Sequence, residues 1–238
     1  MYTQLSDKDE FYRHSWVIDI LQRLVLENEF KTLIDIGAGP GIYAEFIKSL
    51  GVKYTSQDFL LILENEGRYP GLLDKKFQYQ KMDITCDVLD IPEDKKFDIV
   101  LCTEVLEHVP DPARVFIKLS KLVNNQGYIV LSCPLISVMH QAPFWFQSGL
   151  SPYWFQYWAE QSDMEIVSVE IYGDYIDLMI QEVSRLFSFH RSLSPLLWIL
   201  IKIIKSFRFR IQESTLTSGG LGVLVIAKPK NSAEVFPR

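Results

Sequence analysis

Glu104, Glu107 and His108 form an E-x-x-E-H array, two carboxylates and an imidazole within five residues. On a helical turn, residues at i, i+3 and i+4 share one face, so these three side chains would converge. Neutral imidazole takes up a proton near neutral pH, which makes His108 a candidate general base with Glu104 beside it. The other reading is structural: the same residues cap and brace a turn. Asp35 is the second residue that asks for chemistry, because it lies in the otherwise apolar run Thr32-Leu33-Ile34-Asp35-Ile36. An ionised group there needs a donor from a loop or a ligand, and a cationic or amine-bearing ligand would suit it.

The elements that must position these residues can be read from glycines and periodicity. The apolar run ends in Gly37-Ala38-Gly39-Pro40-Gly41, and Ile42 to Gly51 follows with apolar residues at helical spacing. Strand, glycine loop and helix open a nucleotide-binding βαβ unit, in which glycines let a ligand approach the backbone and the helix N-terminus offers unpaired N–H groups. The dinucleotide fingerprint is G-x-G-x-x-G; here the third glycine falls one place early, at Gly41, which counts against NAD. Further strands are expected at Lys53–Asp58, Phe77–Met82, Phe97–Cys102, Tyr128–Ser132, Glu165–Tyr172 and Gly222–Ala227. Helices are expected over 6–29, 60–67, 113–123 and 151–162, and Asn124–Gly127 reads as a turn. This alternation predicts an α/β, Rossmann-like, doubly wound sheet of seven strands, mainly parallel with the last antiparallel.

Asp35 to Gly41 resembles motif I, acidic-x-G-x-G-x-G, of the class I S-adenosylmethionine (SAM) dependent methyltransferases. Asp58 closes the next strand at about the 20-residue distance where an acidic residue receives ribose hydroxyls. Asp83-Ile84 is similar to the family's adenine site, and Thr103 to Pro112 resembles the segment after strand four in small-molecule methyltransferases, the ubiquinone-pathway O-methyltransferases among them. The resemblance implies SAM as cofactor, held by Asp35, Gly37, Ala38, Gly39, Gly41, Asp58, Phe59, Asp83, Ile84 and Thr103. It implies His108 and Glu104 as catalytic residues. The array also looks like the one with which small-RNA 2′-O-methyltransferases bind Mg²⁺, with Glu104, Glu107, His108 and His140 as the ligand set. Oxygen ligands suit Mg²⁺, whereas two histidines equally suit Zn²⁺ or Mn²⁺. Tyr12, Arg13 and His14 could reach the cofactor's carboxylate, but a solvated helix face is the preferred reading, which leaves them out of the site.

Composition bounds the rest. The chain is 48% hydrophobic and 23% charged with a net charge of −6, the balance of a globular domain rather than of a nucleic-acid binder. Three cysteines without C-x-x-C spacing suggest neither a disulfide framework nor a cysteine zinc site, so a reduced cytoplasm is expected. No secretory leader or bilayer-spanning run is read. One domain is expected, with helices over 1–30, a SAM-binding core over 31–135, an acceptor cover over 136–217 and the last strand and tail over 218–238.

That cover holds an aromatic stretch from Pro143 to Trp158 and, between Asp174 and Thr217, a helix after Pro195 that is apolar over most of its circumference. Lys202, Lys205 and Arg208 form a basic stripe on it. It must bury its apolar surface as a roof over the acceptor, in a homodimer, or against a membrane surface as a peripheral contact. The expected activity is methyl transfer to a hydroxyl of a small-molecule, sugar or lipid-linked acceptor. A nucleotide-cofactor oxidoreductase and a catalytically silent methyltransferase-like subunit are the alternatives.

Overall fold

The computed structural model describes residues 3–59, 81–188, 194–207 and 219–230. Its first helix, α1 (Thr3–Asn28), leads into β1 (Thr32–Ile36), α2 (Ala44–Ser49) and β2 (Lys53–Gln57). After a one-turn 3-10 helix at Val88–Asp90 come β3 (Phe97–Thr103), a second such turn at Leu106–His108, α3 (Pro112–Leu122) and β4 (Val123–Pro134). The chain continues through α4 (Pro152–Gln161), β5 (Met164–Tyr172), α5 (Tyr175–Ser188), α6 (Ser194–Phe207) and β6 (Gly222–Pro229).

The strands form one sheet in the order β2-β1-β3-β4-β6-β5. β1 pairs parallel with β2 and β3, and β3 with β4, whereas β6 runs antiparallel to both β4 and β5. Leu33, Ile34, Ile99, Val100, Ile129 and Val130 are all fully buried, as parallel strands covered on both faces require. On one face α3 and α4 pack Phe116, Leu119, Leu122 and Phe155 against Ile34, Val100, Leu131 and Val225. On the other, α1 and α2 pack Val17, Leu21, Leu24 and Ile47 against Leu33, Ile99, Leu101 and Leu224. The two covering helices of the first face are both capped by a side chain ahead of a proline. Asp111 accepts from Arg114 N (3.1 Å) ahead of Pro112, and Ser151 accepts from Trp154 N (3.3 Å) ahead of Pro152.

Two details differ from the sequence reading, and part of it lies outside the described residues. Six strands, not seven, are present among the described residues, because most of the expected third strand, Phe77–Met82, and the helix over 60–67 lie outside them. Beside that segment, Ile84 forms a parallel bridge with Gln57 at the outer edge of β2. Asn124 to Gly127 is not a turn but the start of β4. The register jumps from Phe97↔Val123 to Ile99↔Tyr128, so the extra residues bulge out of the ladder. Asn124 Nδ2 donates to Asp98 Oδ1 (2.7 Å) there, and a Cβ on Gly127 would lie 2.4 Å from the Asp98 carbonyl oxygen. The expected helical segment is one helix as far as Asn28, and α2 begins only at Ala44, once the glycine turn is complete.

Asp98 also ties the entrance of β1, accepting at Oδ2 from Lys31 N, Thr32 N and Thr32 Oγ1, each at 2.9 Å. Burial alone would raise its pKa, but these bonds outweigh it and hold the carboxyl below the ordinary range. Asp98→Ala should cost about 2 kcal/mol in urea unfolding at pH 7, since it strands several donors. A depressed folded-state pKa stabilises above the unfolded-state pKa and ceases to as pH falls through the folded one, so the gap between wild type and variant should close below about pH 4.

Candidate active site

β1 delivers its glycine loop to the carboxyl edge of the parallel strands. Gly37, Gly39 and Gly41 have φ of 65°, 52° and 72°, values that L side chains rarely adopt. A Cβ on Gly37 would sit 2.4 Å from Val105 Cγ2, so the loop after β1 touches the loop after β3 there. A Cβ on Gly39 would meet nothing nearer than the loop's own Gly37 carbonyl oxygen at 4.0 Å, which leaves that surface open to a ligand. The loop is laced to the end of β2. Gly37 N donates to Gln57 Oε1 (3.3 Å), Ala38 N to the Gln57 carbonyl (2.9 Å) and Gly39 N to Asp58 Oδ2 (3.0 Å).

Asp35 is 2% exposed and accepts from the Tyr54 hydroxyl at 2.7 Å. Burial pushes its pKa up; the tyrosine bond opposes this and the nearby Asp58 adds to it, for a value of about 7. Asp83 is exposed, and its Oδ2 accepts from both Ser56 N and Ser56 Oγ at 2.9 Å. Phe59 meets Phe144 edge to face at 5.9 Å, so the loop before α4 reaches the same end of the crevice. Thr103, at the end of β3, hydrogen-bonds the Tyr43 hydroxyl.

The E-x-x-E-H array does not share one helical face. Glu104 takes a left-handed φ of 55° ahead of the turn, and only Leu106–His108 is helical. This turns the Glu104 carboxylate toward Ser132 Oγ (2.8 Å) and Arg13 Nη1 (3.2 Å), away from a shared ligand set. Glu107, His108 and His140 do converge, each offering an atom within 4.8 Å of the others. His108 Nδ1 donates to the Phe144 carbonyl at 2.5 Å, which leaves Nε2 with its lone pair. Burial lowers the His108 pKa, and the Phe144 bond only partly offsets it, so the ring is neutral at pH 7. His140 donates from Nδ1 to the Val138 carbonyl (3.0 Å) and stands 4.9 Å from the His108 ring. Glu107 is fully buried; burial first and Glu104 second raise its pKa far above the carboxylate range. Its Oε1 has no hydrogen-bond partner.

Arg13, set aside as a solvated residue, is instead a half-buried link from α1 into the crevice. It pairs with Glu104 and hydrogen-bonds Tyr172 at the end of β5. Burial would lower its pKa, but Glu104, Tyr172 and Tyr43 reverse that. His14 Nδ1 lies 2.7 Å from the Tyr43 hydroxyl, and burial beside Arg13 brings its pKa down to about 4. Tyr54, Gln57 and Ser132 also escaped notice in the sequence. Each is a polar residue in a strand with a buried or half-buried neighbour to satisfy, and strand position alone does not reveal such partners.

A three-layer fold whose glycine loop and acidic side chains line one strand edge defines a nucleotide-type cofactor site. The family described as a methyltransferase domain matches residues 9–171, and the chain belongs to it. The ubiquinone biosynthesis O-methyltransferase of Nitrosomonas europaea is 34% identical over 102 residues, 43% of each chain, so less than half of that relative's length is spanned. A SAM dependent methyltransferase from Archaeoglobus fulgidus has a similar solved structure, with a TM-score of 0.52 at 16% identity over 89% of this chain and 94% of its own. The cyclase SpnF is similar to the same degree, with a TM-score of 0.53 at 14% identity over 90% and 80% of the two chains. Fold alone therefore does not set the reaction.

The buried Asp35 gives a direct check on this geometry. Tyr54→Phe removes the one bond opposing burial, so carbon-detected NMR titration should move the Asp35 midpoint upward from about 7 by roughly one unit.

Proposed function

We propose that the chain transfers a methyl group from SAM to a hydroxyl of a small-molecule, sugar or lipid-linked acceptor, in the cytoplasm or at its membrane face. The observation that carries this is the contact of Gly37 with Val105, which sets the cofactor loop against the turn bearing His108. SAM supplies an activated methyl on a sulfonium, so the protein's tasks are orientation, exclusion of water and removal of a proton. Residues 31–135 hold the cofactor in this reading, and 136–217 cover the acceptor.

Asp35 and the N–H groups of Gly37 to Gly41 would orient the amino-acid end, Asp58 the ribose, and Asp83 with Ile84 and Phe59 the adenine. Thr103 closes the end of β3. His108 Nε2 takes the acceptor's hydroxyl proton. Glu104 acts indirectly, holding Arg13 and with it α1 across the crevice. Glu107, His108 and His140 also fit a divalent cation, Mg²⁺, Zn²⁺ or Mn²⁺. A buried carboxylate oxygen without a partner is costly unless it gains a proton or a cation. A bound metal would polarise the acceptor hydroxyl.

Titration calorimetry should give micromolar binding of SAM and its demethylated product and none of NAD; the reverse result would establish the oxidoreductase alternative. Because Asp35 is about half protonated near pH 7, binding of an amine next to it should release a proton. Calorimetry in buffers of different ionisation enthalpy reads this, with release greatest near pH 6 and absent at pH 9. His108→Ala should lower turnover, followed as methylated metabolites in cell extract, about a hundredfold or more while leaving SAM affinity unchanged. Loss of turnover in EDTA would make His108 a metal ligand instead of the base, since its one free lone pair, on Nε2, cannot serve both roles. Cofactor binding with no methylated product from any extract would leave the silent-subunit alternative.

A further inference from the structure

α5 and α6 pack on each other through a core of their own, Ile176 and Ile180 against Ile201 and Ile204. Among the described residues, nothing covers the other side of α6. Leu196, Ile199 and Ile203 are 55%, 57% and 48% exposed, and their spacing puts them on one stripe of the helix. Lys202, also exposed, flanks that stripe. On α5, Tyr175 and Met179 add 49% and 40% exposed apolar side chains.

The sequence that carries this stripe is basic in an otherwise acidic chain. From 183 to 212 the sequence has six basic residues, Arg185, Arg191, Lys202, Lys205, Arg208 and Arg210, and no acidic one. The remainder holds 18 basic and 30 acidic residues out of totals of 24 and 30. An acid-free tract with six basic residues in an acidic chain, centred on an amphipathic helix with exposed aliphatic residues, matches a surface that is anionic and apolar at once. A second copy fits poorly, since it would oppose like charges across the contact. A nucleic acid would leave the aliphatic stripe in water.

Placement adds a consequence. β5 runs parallel to β4 through their shared antiparallel partner, so it ends at Tyr172 on the same edge as the glycine loop. α5 begins three residues later, and Tyr172 hydrogen-bonds Arg13 of the crevice.

We propose that the outer face of α6 docks on an anionic phospholipid bilayer and so holds the cofactor edge of the sheet toward the membrane. The docking does not depend on methyl transfer; only its corollary, an acceptor with a lipid chain entering from the bilayer, rests on the proposed activity.

The test is flotation of the full chain with phosphatidylcholine vesicles, with and without about a third phosphatidylglycerol. Wild type should float with the anionic vesicles alone and be released by about 0.5 M salt. Lys202→Glu and Ile199→Asp should each lower the bound fraction, expressed as a partition coefficient, about tenfold. Both residues are exposed, so thermal unfolding of both variants should match wild type and exclude misfolding. No flotation, or flotation unchanged in both variants, overturns the proposal. So does a solution dimer that Ile199→Asp converts to monomer, which would make the stripe a self-contact. None of these readouts uses turnover or SAM, so they fail or succeed apart from the proposed activity.

Discussion

The sheet adds strands outward in two directions from the boundary between β1 and β3, and the loops leaving those two strands must part to opposite faces. Everything that resembles a site follows from that parting. The loop after β1 becomes a glycine turn roofed by α2, and the loop after β3 becomes the turn bearing Glu107 and His108. Where the two loops touch, at Gly37 and Val105, there is room for a hydrogen but not a methyl group. The floor of the crevice is thus set by backbone geometry, and its walls by side chains that backbone bonds hold in place.

Those walls carry acids with little to neutralise them. Asp35 and Glu107 are both buried and both raised in pKa, while Arg13 pairs with Glu104 and acts on Glu107 only as a nearby charge. His108 and His14 are held neutral by the same low-dielectric surroundings. A crevice of this kind ionises in response to a cation instead of presenting a fixed charge, which couples its protonation to occupancy.

What the sequence made legible was whatever has a period or a punctuation mark. The apolar run into Gly37, the helix start at Ser151-Pro152, and the strands near 97, 165 and 222 all appear where those signals put them. Turn residues misled at Asn124 to Gly127, because asparagine and glycine serve a bulge as well as a turn, and a strand partner such as Asp98 decides between them. Spacing misled at Glu104 for a related reason. An i, i+3, i+4 argument presumes a helix that includes its first residue, and a left-handed φ at that residue redirects the side chain entirely. Arg13 was discounted because a helix face can be solvated or covered, and only packing against β5 distinguishes the two.

β5 and β6 are paired from Met164↔Pro229 to Tyr172↔Gly222, and the backbone bond from Leu221 N to the Tyr172 carbonyl (2.9 Å) pinches the ends of the excursion together. Two helices therefore hang from a hairpin whose own strands complete the sheet without them. The entropy of closing a flexible loop grows only with the logarithm of its length, about 0.6 kcal/mol per doubling. Descendants of this chain can lengthen, shorten or exchange that segment at small loop-closure cost to the sheet beneath, which makes it a cassette where inherited variation would accumulate while the cofactor edge stays as it is.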